Sequence, residues 1–209
     1  MRRTTLFLAV LAMMLGGIRA ASAHPHAWID MSVEVLFDMS GKVTALKQSW
    51  LFDEFYTADT VQKGEQAKMD LLTTRILGNL KDWGYFTQVQ AGSRSIGFMR
   101  PTEHSARMEK HRLRMTFVLP LAEAVSPTDV PLTYWVFDPT YYIEMLHAES
   151  KDAIRLTGAP PSCRFTLIQP APDPKAVAKA AALDRTQSGG DGLGKQFAEK
   201  VEIRCDAQP

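Results

Sequence analysis

The sequence predicts an α+β fold, a mainly antiparallel β-sheet with one main helix and a short C-terminal helix. Three observations lead there. From His26 to Asp38 the chain alternates, with Ala27, Ile29, Met31, Val33, Val35 and Phe37 on one side and His26, Asp30, Ser32, Glu34 and Asp38 on the other, which is the period-two signature of a half-buried strand. Met69, Leu72, Ile76, Leu77 and Leu80 recur near helical spacing between Thr60 and Trp83. The 209 residues are 45% hydrophobic and 22% charged, the composition of a folded protein with a core rather than of a disordered or fibrous chain.

Taken in chain order, Met1 to Arg3 is basic, Leu6 to Ile18 is apolar, and Ala21-Ser22-Ala23 offers small residues of the A-x-A kind, so residues 1–23 read as a secretory signal peptide cleaved before His24. The apolar run is far short of the roughly 20 residues that span a bilayer, so the mature form is expected to be periplasmic and without a transmembrane segment. From 24 to 209 one α+β domain is expected, with 169–209 a C-terminal extension tied back by a disulfide. The turn Met39-Ser40-Gly41-Lys42 leads into a second extended run, Val43 to Phe55, and the pair reads as a β-hairpin. Thr60 to Trp83 is the main helix and Gly84 its stop signal. Phe86 to Val118 holds short strands around Gly92 and Glu109-Lys110, and Leu132 to Phe137 and Tyr141 to Leu146 flank the turn Asp138-Pro139-Thr140. After the strand Arg164 to Ile168, Pro170-Ala171-Pro172-Asp173-Pro174 breaks the chain before an Ala-rich helix, Lys175 to Leu183. Ser188 to Gly194 is a flexible loop and Glu199 to Cys205 a last strand.

Cys163 and Cys205 are the only two cysteines, and an even count in an oxidising compartment is most simply one disulfide. A thiolate metal pair would need further thiols, or a histidine nearby in sequence, and has neither. Closing a loop of about 43 residues stabilises the fold by about 4 kcal/mol on the chain-entropy model. Lys plus Arg number 24 against 23 Asp plus Glu, a formal charge of +1. Without Arg2, Arg3 and Arg19 of the signal segment the balance is 21 against 23. Neither value creates a broad attraction to nucleic acid, so no nucleic-acid partner is expected. No Gly-x-Ser-x-Gly, P-loop or dinucleotide fingerprint supports a hydrolase, nucleotide or Rossmann reading.

The candidate chemistry lies at the mature N-terminus, His24-Pro25-His26. A free α-amine and two imidazoles fall within three residues, and the two-residue repeat of a strand lets His26 face the same side as His24. Pro25 has no N–H, so the square-planar chelate through a deprotonated second-position amide cannot form, which leaves amine plus rings. Such donors suit Cu, Ni, Co or Zn. A hairpin centred on Ser40-Gly41 pairs residues whose numbers sum to about 80 or 81, which sets His26 beside Glu54 or Phe55. Asp53 and Glu54 are then the nearest carboxylates, as a third ligand or as an acceptor that orients an imidazole. The plainer alternatives are a solvated N-terminus and, for Asp53-Glu54, an ordinary helix N-cap or surface acid. His104 and His111 flank the turn at Glu109-Lys110, His111 pairing Met108 and His104 lying roughly 13 Å along the strand, so they cannot share a metal. The lone His147 reads as a surface or satisfied histidine, and the turn Asp138-Pro139-Thr140 could contribute an oxygen ligand, although an aspartate that bonds its own turn backbone is the commoner role.

Ala-His-Pro-His-Ala-Trp-Ile-Asp after a signal peptide, Trp50-Leu51-Phe52-Asp53-Glu54-Phe55-Tyr56, Phe137-Asp138-Pro139-Thr140-Tyr141-Tyr142, and Gly158-Ala159-Pro160 before Cys163 together resemble the domain of unknown function 1007 family through nearly all of the mature chain. The resemblance implies an exported, metal-associated role, since that family is labelled the periplasmic component of an uncharacterised ABC-type transport system and is often encoded with nickel/cobalt-type permeases. Some relatives carry an Asp-rich, calcium-loop-like stretch before the helix. Here Ala58 to Lys68 has only Asp59 and Glu65, so calcium is not expected. The leading reading is a non-enzymatic accessory protein that binds a divalent transition metal through the N-terminal His-Pro-His and serves a membrane metal permease or ABC-type transporter. The alternatives are a histidine-brace copper oxidoreductase, although such enzymes take their second histidine from a distant segment, and a metal-free periplasmic interaction module built on Trp28, Trp50, Phe55, Tyr56, Tyr141 and Tyr142.

Overall fold

A computed structural model describes residues 25–61, 69–184 and 187–207. The predicted signal segment and His24 lie outside the described residues. Strands β1 (Ala27–Phe37) and β2 (Val43–Phe52) form the expected hairpin, with Ile29 opposite Phe52 and Val35 opposite Leu46, so the pairing sum is 81 until a bulge at Leu36/Phe37. The alternation of β1 matches its burial: Ile29, Met31, Val33 and Val35 are buried, while Trp28 and Asp30 are exposed.

Two sheets, not one, share the core. The first has the order β5-β6-β2-β1-β8, with β9 also on β1; the second has the order β10-β11-β7-β3-β4. The remaining strands are β3 (Thr87–Ala91), β4 (Arg94–Ile96), β5 (Thr102–Glu109), β6 (Arg112–Val125), β7 (Leu132–Val136), β8 (Ile143–His147), β9 (Ile154–Thr157), β10 (Cys163–Ile168) and β11 (Lys200–Cys205). Pairing is antiparallel except that β8 and β9 both run parallel to β1 and divide its length between them. The physical reason for the second sheet is that β7 and β8, which look like a hairpin around Asp138-Pro139-Thr140, cross from one sheet to the other at that turn. Trp50 is the hub where the layers meet, within 6.5 Å of Phe86 and 5.1 Å of Phe117 by ring centroid. Its indole donates to the buried Gln48, which in turn donates to Thr87 Oγ1 across the sheets. The late strand β11 lies between β10 and β7, inside the second sheet rather than appended to it.

The helices depart from expectation. Asp53 stops β2, and α1 (Glu54–Thr60) takes Glu54 and Phe55 out of the predicted strand; α2 (Met69–Leu80) is the core of the predicted long helix and packs beside β5. A kinked 3₁₀ segment, Lys81–Phe86, follows, in which Gly84, Tyr85 and Phe86 all have positive φ. The Ala-rich helix is α3 (Pro174–Ala182), capped by Asp173, and the glycine-rich loop contains a one-turn α4 (Leu193–Gln196). Cys163 and Cys205 sit directly opposite each other on β10 and β11 and are joined. Among the described residues no helix is long and apolar enough to cross a membrane.

A second polar tie between the sheets involves His147, which is buried and not on the surface. Its Nδ1 and backbone N–H meet Glu199 Oε2 at 2.8 and 2.7 Å, its Nε2 faces Tyr134 Oη at 3.1 Å, and Gln169 donates to the other Glu199 oxygen. Burial alone would raise the Glu199 carboxyl; the bonds from His147 and Gln169 outweigh it and hold it below its ordinary value. Burial, with the Glu199 charge adding to it, raises the Tyr134 phenol well above its ordinary value.

Candidate metal site at the start of the first strand

Three segments meet where β1 begins: Pro25-His26, Asp53 to Tyr56, and Asp138 to Ile143. Asp53 locks the second segment to Trp28, two residues after His26. Its N–H donates to Trp28 O and its Oδ2 accepts the Trp28 N–H, both at 2.9 Å, while Oδ1 accepts the Tyr56 N–H at 2.8 Å and so caps α1. The helix is bolted from its other face by Thr57, whose buried hydroxyl donates to Asp53 O and accepts the Leu113 N–H. Arg112 takes the carbonyls of Leu51 and Phe52, where β2 gives way to the helix, and pairs with Asp30 at 2.8 Å. Tyr56 stacks on Phe52 with centroids 5.3 Å apart. Burial raises its phenol above the ordinary value despite a bond with Thr60, and the negative charges of Asp59 and Asp138 add to the rise.

The third segment holds His26. The His26 N–H donates to Tyr142 O at 2.9 Å, and the two rings lie 5.1 Å apart at 54°. The hairpin arithmetic places His26 beside Glu54 or Phe55, and here it fails: β2 ends at Phe52, the chain turns into α1, and His26 continues instead alongside β8. Glu54 is exposed on the first turn of α1, and Phe55 is 87% exposed. Asp138, at 5% exposure, bonds its own turn as expected: Oδ1 accepts from Thr140 N and Oγ1, and Oδ2 from Ile143 N. Tyr141 is buried, stacked 4.0 Å from Phe197, and donates from its hydroxyl to Glu144; burial, with Glu144 adding to it, raises this phenol well above its ordinary value.

The structure therefore brings His26 and Asp53 to one end of the first sheet, with Glu54 one residue on. Among the described residues no cluster of three or more His, Cys, Asp or Glu side chains is arranged to hold a metal, and His24 lies outside them. Asp53 appears as the N-cap and as the bolt on Trp28. The neighbour that sequence reasoning missed is Tyr142. Its only signal was the parallel pairing of β8 with β1, which hairpin counting between consecutive strands cannot detect. His104 meets Thr74 of α2 at 3.1 Å, and the β5–β6 turn falls at Lys110-His111 rather than Glu109-Lys110, because Glu109 pairs with Arg112 and the positive φ is at Lys110.

The match to a known family covers this whole arrangement. Residues 9–205 match the family described as "Protein of unknown function (DUF1007)". The chain belongs to the DUF1007 family. A relative from Haemophilus influenzae, described as an uncharacterized protein, is 30% identical over 191 residues, covering 88% of this chain and 92% of the relative. The Pro-His-Ala-Trp, Phe-Asp-Glu-Phe-Tyr and Phe-Asp-Pro-Thr-Tyr-Tyr segments of this DUF1007 protein, far apart in sequence, meet at the start of β1, the second on Trp28 and the third on His26.

Proposed function

We propose that this DUF1007 protein is a periplasmic accessory protein of a metal transport or homeostasis system. It binds one divalent Cu, Ni, Co or Zn ion at its mature N-terminus. Export by the signal segment and cleavage after Ala23 expose the amine of His24, which with the imidazoles of His24 and His26 makes the donor set. The observation that carries the reading is the anchoring of His26. A backbone bond and a ring contact from Tyr142 hold one donor of a chain terminus that would otherwise fray. Fixing it in advance lowers the ordering cost of binding. Both Asp53 oxygens accept backbone N–H groups, so its part is to hold the strand after His26, and Glu54 is the freer carboxylate donor. The partner is a membrane metal permease or ABC-type transporter.

Calorimetric titration of the protein beginning at His24, of a form extended by one N-terminal Ala, and of His26→Ala tests this. Cu(II) binds the first most tightly by the Irving–Williams order, and both altered forms lose affinity. Binding weakens on acidification, because the amine and imidazoles must lose protons to coordinate. Equal binding by all three forms places the site elsewhere, and no binding by any favours the interaction module.

A further inference from the structure

We propose that Asp138 is the positioning residue of this site: the turn it folds sets the carbonyl and ring of Tyr142 against His26, and thereby aims the imidazole. The inference rests on the N-terminal metal reading. Asp138 is buried and spends its carboxylate inside the turn, with Oδ1 on Thr140 and Oδ2 on the Ile143 N–H at 3.0 Å, while its own carbonyl accepts the Tyr141 N–H. It acts through geometry and not as a ligand. The geometry it enforces is costly, because Tyr141 sits at φ 61°, in the left-handed region that a bulky residue avoids and enters only when its surroundings over-determine it. They do so here. Tyr141 is clamped by its stack on Phe197 and its hydroxyl bond to Glu144, and α4 presses so closely on the turn that a Cβ at Gly194 would overlap Asp138 O.

The left-handed residue reverses the chain so that Tyr142 emerges beside β1, just before the Ala27–Ile143 pair that starts the parallel ladder. His26 lies one residue before that ladder and beyond the end of β2, and donates its backbone N–H to Tyr142 O. Placing the imidazole therefore depends on where the 138–143 turn delivers Tyr142.

Asp138→Asn separates positioning from folding. Asparagine keeps one acceptor oxygen, but its NH₂ must then face either the Thr140 or the Ile143 N–H, two donors pointing at each other. Below β8's first pair the strand retains its partners, so the variant should remain folded. Tyr142→Ala removes a ring that is 41% exposed and leaves the core intact. With the metal-free melting temperature as a fold check, Cu(II) affinity and the Cu(II) electron paramagnetic resonance spectrum are measured for wild type, Asp138→Asn, Tyr142→Ala and Tyr142→Phe. The expected result is at least a tenfold loss of affinity and an altered spectrum for the first two variants, with Tyr142→Phe matching wild type. Wild-type affinity and spectrum in a folded Asp138→Asn overturn the proposal, as they do in Tyr142→Ala if Asp138→Asn does not fold. Failure of the wild type itself to bind copper, or equal binding when its N-terminus is extended, overturns the underlying metal reading instead.

Discussion

Asp53 and Glu199 use their carboxylates in the same way, each accepting a backbone N–H from a strand distant in sequence: Trp28 at 2.9 Å for Asp53 and His147 at 2.7 Å for Glu199. A buried N–H left without an acceptor carries a desolvation penalty of about 1–3 kcal/mol, so Glu199→Ala should lower stability by at least that amount. The pH dependence has a definite sign. The folded-state pKa of Glu199 lies below the ordinary value of 4.5, so the stability it contributes is fully present above that value. That contribution is lost as pH falls through the lowered folded value. Urea midpoints measured from about pH 7 to about pH 3 should show a wide gap between wild type and Glu199→Ala that closes on acidification. A gap independent of pH would contradict the assignment of the carboxylate as the holding group.

At the scale of elements, α1 shows why part of the fold could be read in the sequence and part could not. Strand β1 was legible because every second side chain is buried, and its register with β2 followed from the turn at Ser40-Gly41. The helix after Asp53 was legible only as the N-cap alternative for Asp53, because Phe52 and Phe55 extend the apolar run of the strand before it. What decides the matter is the Asp53 side chain bonding the Tyr56 N–H, a tertiary-supported cap stronger than local β preference. Removing it with Asp53→Ala should cost about 1–2 kcal/mol for the cap alone, read from a shifted urea midpoint. A stability unchanged within about 0.5 kcal/mol would mean that α1 is held by Thr57 and Arg112 without its cap. The position of β8 is legible in Tyr141 to Leu146, but its neighbour is not, because a parallel partner leaves no local mark. For the same reason hairpin counting sets His26 beside Glu54 or Phe55, whereas it meets Tyr142.

Over the whole molecule, two sheets close on one core, and the C-terminal third is woven into it by β11. The two cysteines were enough to foresee the bond that ties β10 to β11, whereas the second sheet emerges only from the crossing at Asp138, which composition and periodicity do not encode. Replacing Cys163 and Cys205 by Ser should lower the melting temperature, with a loss of up to about 4 kcal/mol, and leave metal stoichiometry unchanged; thiol titration of the unfolded, unreduced wild type should find no free thiol. Metal release on that replacement would tie the far end of the second sheet to the site. Whether export creates the ligand set is read out by native mass spectrometry of untagged protein isolated from periplasm. The expected species is a chain that begins at His24 and carries one transition-metal ion. A chain that retains Ala23, or one that begins at His24 and remains metal-free after incubation with Cu(II), would contradict the proposal.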